Sequence, residues 1–286
     1  MNLKKKSESP DEDYEDIDKD MEIQDNLTPD VDDLIRKTLD NKKIKNIDQT
    51  KKRAAVESVI DERTTFLLNK LLINRNIDRI EGIISSGKEA NVYLAYDADE
   101  KEVALKIYKI DSNTSKWMRN YLYGDPRFKK IPKNISKTIF LWASKEFKNL
   151  KRANKSKLRV PKPIYVKNNI LIMEYIGFGP IPAPKLKDID APKVKEETVY
   201  EIFKFIKDLY QKARLVHGDL SEFNILYHNQ KPIIIDISQA VSIDHPKAEV
   251  YLVRDIKNVT RYFNKIGLKT PDPEDFYYEV IQAGYR

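Results

Sequence analysis

An α+β chain in two lobes is what this sequence predicts: a small β-rich first lobe and a reduced, mainly helical second one, behind a helical extension. Three observations predict it. Short β-rich runs cluster at 79–85, 90–96 and 102–109, and the turn-like 97–101 joins the second to the third, which reads as an antiparallel meander. Helical spacing then takes over at Ile139, Trp142, Ala143, Glu146, Phe147, Leu150 and Ala153, and again at Val199, Ile202, Phe203, Ile206, Leu209, Tyr210 and Ala213. Ahead of the strands, Val56, Ile60, Leu67 and Leu71 recur at helical spacing, so an amphipathic helix over 55–73 precedes the main domain.

The remaining segments follow in order. The polar stretch 111–137 has few periodic features and reads as a long mobile loop. An apolar strand is expected over 170–176, a Gly/Pro-rich connector over 177–184, a short β-pair around 225–237, and one or two closing helices. The expected partition is an acidic, disordered tail at 1–30, a helical extension at 31–75, a first lobe at 76–173 and a second at 174–286.

Composition removes several function classes. The chain of 286 residues is 41% hydrophobic with 16 Tyr and 10 Phe, enough for a substantial core. With no Cys, disulfides, thiol catalysis and cysteine–zinc sites are excluded, and His217, His228 and His245 lie too far apart to suggest a metal cluster. The first residues pass from Lys4-Lys5-Lys6 straight into acidic sequence, and no run approaches the roughly 18 apolar residues of a membrane span. A soluble, cytoplasmic protein with no membrane partner is expected. The net charge of +7 is uneven: residues 1–30 hold four Lys and eleven acids, a net of −7, which leaves +14 for residues 31–286. Such an acidic block repels itself and buries nothing, whereas a basic body suits an anionic partner such as nucleotide or RNA.

The first chemical signal is Val103-Ala104-Leu105-Lys106 on the third strand. Alternation turns Lys106 to the side where Ala104 packs, and a buried ammonium is costly unless paired. Glu146 shares a helix face with Ile139, Trp142, Ala143 and Leu150, so it too points inward. Protein kinases pair a third-strand lysine with a helix glutamate and with ATP phosphates. Upstream, Ser85-Ser86-Gly87-Lys88-Glu89-Ala90-Asn91-Val92 keeps one glycine of the kinase glycine-rich loop, yet still offers hydroxyls, main-chain N–H groups and an ammonium to phosphate oxygens.

The strongest signal runs from Val216 to Asp236. His217-Gly218-Asp219-Leu220-Ser221-Glu222-Phe223-Asn224 has the Asp-x-x-x-x-Asn spacing of a kinase catalytic loop, and Asp236 follows twelve residues later at the end of Ile233-Ile234-Ile235. In that arrangement Asp219 reaches the attacking hydroxyl while Asn224 and Asp236 hold Mg²⁺ against the nucleotide phosphates. An acid ending a buried isoleucine strand calls for a cation. His217 is read as structural. The two lobes thus take a protein-kinase-like fold.

Several runs sharpen this to a family. Residues 86–93 (Ser-Gly-Lys-Glu-Ala-Asn-Val-Tyr), 124–128 (Gly-Asp-Pro-Arg-Phe), 219–224 (Asp-Leu-Ser-Glu-Phe-Asn), 235–241 (Ile-Asp-Ile-Ser-Gln-Ala-Val) and 254–259 (Arg-Asp-Ile-Lys-Asn-Val) resemble the RIO atypical serine/threonine kinases of the type-1 subfamily, over roughly residues 50–286. The resemblance implies ATP between the lobes, with Mg²⁺ or Mn²⁺. It places Met173 beside the adenine and the main chain of Glu174 and Ile176 on the base. It further implies self-phosphorylation on serine, an aspartyl-phosphate at Asp236 with ATP turnover, and a cytoplasmic role in small ribosomal subunit maturation. The partners would be pre-ribosomal RNA and proteins, not DNA.

Departures from ordinary protein kinases matter too. Ser221 replaces the usual catalytic-loop lysine, Ile237-Ser238 replaces Phe-Gly, and 50 residues after Asp236 leave little room for an activation loop. Two alternatives stay open: an aminoglycoside- or choline-type small-molecule phosphotransferase, and an RNA-associated assembly factor that senses nucleotide.

Overall fold

The computed structural model describes residues 62–282 of a chain that divides into two compact units, 1–71 and 72–286. Helix α1 (Glu62–Ile73) opens the described residues, with Leu67, Leu68 and Leu71 buried. The part of the expected helix before residue 62, the acidic segment 1–30 and most of the extension 31–75 lie outside the described residues.

The second unit begins with a five-stranded antiparallel sheet of order β1-β2-β3-β5-β4, made of β1 (Arg79–Ser86), β2 (Ala90–Tyr96), β3 (Glu102–Tyr108), β4 (Pro163–Lys167) and β5 (Ile170–Glu174). β3 is central and buried along almost its whole length, which is why its sequence reads as a nearly continuous apolar run. The β2–β3 turn is closed by Asp97, whose carboxylate accepts from the Asp99 and Lys101 N–H groups at 2.9 and 3.0 Å.

The stretch 111–137, expected to be a mobile loop, corrects that expectation: most of its first half is helix α2 (Ser112–Leu122). Asp111 caps it by accepting from the Thr114 N–H at 2.8 Å, and Ser115, Met118, Tyr121 and Leu122 are buried along one stripe. Helix α3 (Ile135–Lys155) follows, capped by Asn134 and packed on β4 and β5, with Ile139, Trp142, Ala143, Leu150 and Ala153 buried. Trp142 lies edge-on to Trp117 and Tyr121 of α2, with ring centres 5.7 and 6.1 Å apart.

Beyond β5 the connector folds into a small ribbon, β6 (Gly177–Phe178) with β7 (Ile181–Pro182). Helix α4 (Glu196–Gln211) buries Val199, Ile202, Phe203, Ile206 and Leu209, as its spacing predicts. β8 (Leu215–Val216) pairs with β11 (Val241–Ser242), and β9 (Ile225–His228) with β10 (Lys231–Ile234). Two helices close the unit, α5 (Ala248–Lys265) and α6 (Pro273–Gln282), and Phe276 of α6 meets Phe203 of α4 edge-on at 4.8 Å.

Candidate active site

Cross-strand partners share a face of a sheet, as do residues two apart on one strand. Lys106 lies opposite Val92 of β2 and Leu171 of β5, and Ala104 lies opposite Met173. Val92, Ala104, Lys106 and Met173 therefore form one surface, the face that α3 also approaches. Lys106 is 6% exposed, and its Nζ lies 2.9 Å from a Glu146 carboxylate oxygen and 2.9 Å from Asp236 Oδ1. The cation called for by the strand-end acid is thus Lys106 itself. Burial opposes the lysine charge, but Asp236 and Glu146 outweigh it and raise its pKa above the ordinary lysine value. Asp236 stays below the usual carboxylate range because Lys106 and the Ser238 hydroxyl, 2.9 Å from Oδ1, overcome the upward push of burial. Glu146 is pushed up by burial, opposed by Lys106 and by the Tyr108 hydroxyl that donates to it. Tyr108 carries no sequence motif; it shares a face with Lys106 two residues away.

The catalytic-loop segment leaves β8 at His217, which is 2% exposed. Its Nε2 lies 3.3 Å from the Ile235 carbonyl, and burial drives its pKa down to about 4, so it is neutral and structural as read. Asp255 of α5 brackets Asp219: its two carboxylate oxygens accept from the Gly218 and Leu220 N–H groups at 2.7 and 2.8 Å. Burial pushes this carboxyl up to about 7. Arg254 donates to the Gly218 carbonyl. Asn224 Nδ2 donates to the Asp219 carbonyl at 2.9 Å, and the Ile235 N–H donates to the Asn224 carbonyl at 2.9 Å, which ties the loop to the strand end before Asp236. Asp219 is raised by burial against the opposing Arg254 charge. Asp236 adopts a left-handed backbone with φ of 56°, a conformation that costs a non-glycine residue on the order of 1 kcal/mol or more.

The turn after Asp236 is held from behind. Lys145 Nζ donates to the Ser238 carbonyl at 2.6 Å, Asn149 Nδ2 to the Ile237 carbonyl at 2.9 Å, and Arg127 to the Ala240 carbonyl at 3.1 Å. Arg127 is itself paired with buried Asp125 at 2.6 Å. Sequence reasoning quoted Arg127 and Asp255 only within family-like runs and missed Lys145 altogether. Nothing in the sequence joins partners some 90 positions apart.

At the other edge, Ser85 and Ser86 end β1 while Ala90, Asn91 and Val92 begin β2, so the tip is Gly87, Lys88 and Glu89. The Gly87 N–H donates to the Ala90 carbonyl at 3.0 Å, Ser86 Oγ to Asn91 Oδ1 at 3.0 Å, and Lys109 Nζ to the Gly87 carbonyl at 2.7 Å. Glu89 is pushed up to about 7 by burial and by Asp236, Glu146 and Asp219, with Lys106 opposing. Its side chain therefore faces the acid cluster and suits phosphate poorly, which leaves its main-chain N–H as the useful donor. At the end of β5, the Glu174 N–H donates to the Lys162 carbonyl at 2.8 Å and its carboxylate binds Arg159 at 2.8 and 2.9 Å. Its remaining main-chain group is the carbonyl. The Ile176 carbonyl accepts from the Ala183 N–H at 2.9 Å, which leaves the Ile176 N–H to donate elsewhere.

The donor set fits Mg²⁺. Among the described residues no group of three or more His, Asp or Glu is arranged to hold a metal by protein ligands alone. Mg²⁺ in nucleotide sites takes one or two protein oxygens plus phosphates. Lys106 and Ser238 occupy Asp236 Oδ1, leaving Oδ2, and the Asn224 amide is turned with Nδ2 on acceptors, leaving Oδ1.

A strand lysine joined to a helix glutamate and to a strand-end aspartate, facing a loop aspartate–asparagine pair, defines an ATP-dependent phosphotransferase of protein-kinase type. The RIO domain profile matches residues 91–276. The chain belongs to the RIO family of atypical serine/threonine kinases. It is 39% identical over 239 residues to the RIO-type serine/threonine-protein kinase Rio1 of Haloferax volcanii, covering 84% of this chain and 80% of that one. It is 42% identical over 214 residues to the human serine/threonine-protein kinase RIO1, covering 74% of this chain but 38% of the longer human protein. Among solved structures, the Rio2 kinase–ADP/Mg²⁺–phosphoaspartate complex from Chaetomium thermophilum superposes with a TM-score of 0.59 at 25% identity, covering 78% of this chain and 67% of that one. No helix among the described residues is long and apolar enough to cross a membrane.

Proposed function

We propose that this chain phosphorylates itself on serine and hydrolyses ATP while acting in the cytoplasm on the maturing small ribosomal subunit, whose RNA and proteins are its partners. One observation carries the phosphoryl-transfer reading: Lys106 reaches Glu146 and Asp236 at once, 2.9 Å from each. The α- and β-phosphates would share the Lys106 ammonium with Asp236. The Ser85 hydroxyl, the Lys88 ammonium and the N–H groups of Lys88 and Glu89 would meet the outer phosphate oxygens, joined by Ser86 once its hydroxyl turns from Asn91. Val92, Ala104 and Met173 would pack on the adenine, with the Glu174 carbonyl and the Ile176 N–H bonding its edge. Asn224 and Asp236 would hold Mg²⁺, with Mn²⁺ as a substitute, and the metal supplies neutralisation of phosphate charge. Asp219 would accept the proton of the attacking seryl hydroxyl as the oxygen bonds the γ-phosphorus and ADP departs.

The phosphoaspartate named for the Chaetomium structure supports a second acceptor here, the Asp236 carboxylate. There the γ-phosphoryl group would pass to a carboxylate oxygen, ADP would leave, and water would later cleave the acyl phosphate to free phosphate. The basic body supports the RNA partner.

The test is incubation with γ-labelled ATP, alone and with precursor ribosomes, following label on protein, RNA and free phosphate. Wild type should carry a hydroxylamine-sensitive label that Asp236→Ala loses, and Asp219→Ala should bind Mg·ATP yet lose the seryl label. Label that wholly survives hydroxylamine would remove the aspartyl-phosphate, and full self-phosphorylation by Asp219→Ala would remove the base assignment.

A further inference from the structure

Ser221 stands where ordinary protein kinases place the lysine of the catalytic loop, and among the described residues its side chain makes no hydrogen bond to Asp219. Another residue takes hold of that carboxylate. Gln239, on the turn after Asp236, donates from Nε2 to Asp219 Oδ2 at 2.9 Å, while Asn224 Nδ2 reaches the same oxygen at 3.4 Å. Asp219 Oδ1 is left as the oxygen that can accept a proton.

Gln239 is 9% exposed, and its Oε1 is enclosed with no hydrogen-bond partner. An unpaired buried amide oxygen costs about 1–3 kcal/mol. Leucine or methionine would fill such a position without that cost, so packing does not explain a glutamine. The approach of its backbone is close as well. Gly218 has φ of +79°, and a Cβ there would lie 3.3 Å from the Gln239 carbonyl. The turn that carries Gln239 is also fixed at its carbonyls by Lys145, Asn149 and Arg127. One residue earlier, Ser238 donates to Asp236 Oδ1 at 2.9 Å.

We infer that Gln239 is the positioning residue of Asp219: it fixes the plane of the carboxylate from a rigid turn, doing for this catalytic loop what Ser221 does not. Because Ser238 on the same turn orients Asp236, one short turn sets the two carboxylates relative to each other. This rests on the reading of Asp219 as the group that takes the nucleophile's proton.

The experiment measures the initial rate of hydroxylamine-resistant seryl labelling of the full chain from γ-labelled Mg·ATP, the transfer in which Asp219 takes the proton, with thermal midpoints to verify folding. Gln239→Leu should lower kcat on the order of 10- to 100-fold, a fraction of a general-base contribution. KM for Mg·ATP should stay within about twofold, since Gln239 is assigned no contact with the nucleotide. The thermal midpoint should change little, because the lost hydrogen bond to Asp219 and the removed unpaired oxygen offset each other. Gln239→Met serves the same purpose if the leucine variant does not fold. In the Asp219→Ala background the Gln239→Leu change should add nothing, as required of a residue that acts through Asp219. An unchanged kcat, a loss confined to KM, or a further full-sized loss in the double variant would overturn the inference. Should Asp219→Ala itself form the seryl label at the wild-type rate, the underlying base assignment fails instead, and the two failures are told apart by that one variant.

Discussion

Two buried ammonium groups flank the turn that follows β10, and they live in opposite electrostatic surroundings. Lys106, in front, meets two carboxylates, and its pKa is held above the ordinary value although burial opposes the charge. Lys145, behind, is completely buried against the Ser238 carbonyl and the face of Trp142 at 4.5 Å. Burial and the neighbouring Arg127 outweigh Asp125 and Glu146 there, so its pKa falls well below the ordinary value. Phosphate chemistry needs a permanent charge at one place, and the front cluster maintains it with two acids. The back cluster needs only a donor to a carbonyl, which a lysine supplies in either protonation state.

The largest expected effect tests the back cluster. Asp125→Ala would leave Arg127 a buried cation without its carboxylate, and removing one partner of a buried pair costs about 3–5 kcal/mol. Urea unfolding of the variant measures this directly, and a loss below about 1 kcal/mol would show that the pair is already solvated.

His217 lies between the two clusters and gives the next effect. Its folded pKa of about 4 is below the unfolded value of 6.5, so its neutral form stabilises the fold fully above pH 6.5 and that stability is lost as pH falls toward 4. The shift corresponds to about 3 kcal/mol at most. Between pH 7 and pH 4 the unfolding free energy of wild type should fall relative to that of His217→Gln by up to about 3 kcal/mol. The raised carboxyls Asp255 and Glu89 titrate alike in both proteins and cancel in the difference. Parallel curves for the two proteins would place the imidazole in solvent.

The smallest effect should come from Lys145→Met. A buried cation lacking a carboxylate of its own adds little net stability, and the methionine loses one carbonyl hydrogen bond worth about 1 kcal/mol. The unfolding free energy should change by less than about 1 kcal/mol while ADP release slows, because the turn carrying Asp236 loses an anchor. A loss as large as that of Asp125→Ala would make Lys145 a stabilising charge.

The front cluster was the more legible of the two. Strand alternation turned Lys106 inward and helical spacing turned Glu146 inward, so two periodicities meet in one ion pair. The need of Asp236 for a cation was also readable, though not that Lys106, 130 positions away, would supply it. The back cluster was hidden for a different reason. Lys145, Asn149 and Arg127 all act on main-chain carbonyls, and a carbonyl leaves no trace in residue identity. Helix α2 was obscured locally: Ser112, Asn113, Thr114 and Ser115 favour turns and caps, and their polarity masked the stripe through Met118, Tyr121 and Leu122.

Initial rates of γ-phosphoryl transfer by Lys106→Ala and Glu146→Gln, measured beside wild type at saturating Mg²⁺, test the front cluster most directly. Lys106 is placed on the phosphates and Glu146 on Lys106. The lysine variant should lose a charge-assisted contact worth on the order of 1.5–3 kcal/mol, roughly 10- to 100-fold in rate, and the glutamine variant should lose less. A Lys106→Ala protein that turns over ATP at the wild-type rate would contradict the assignment of the third strand, and with it the site built around Lys106.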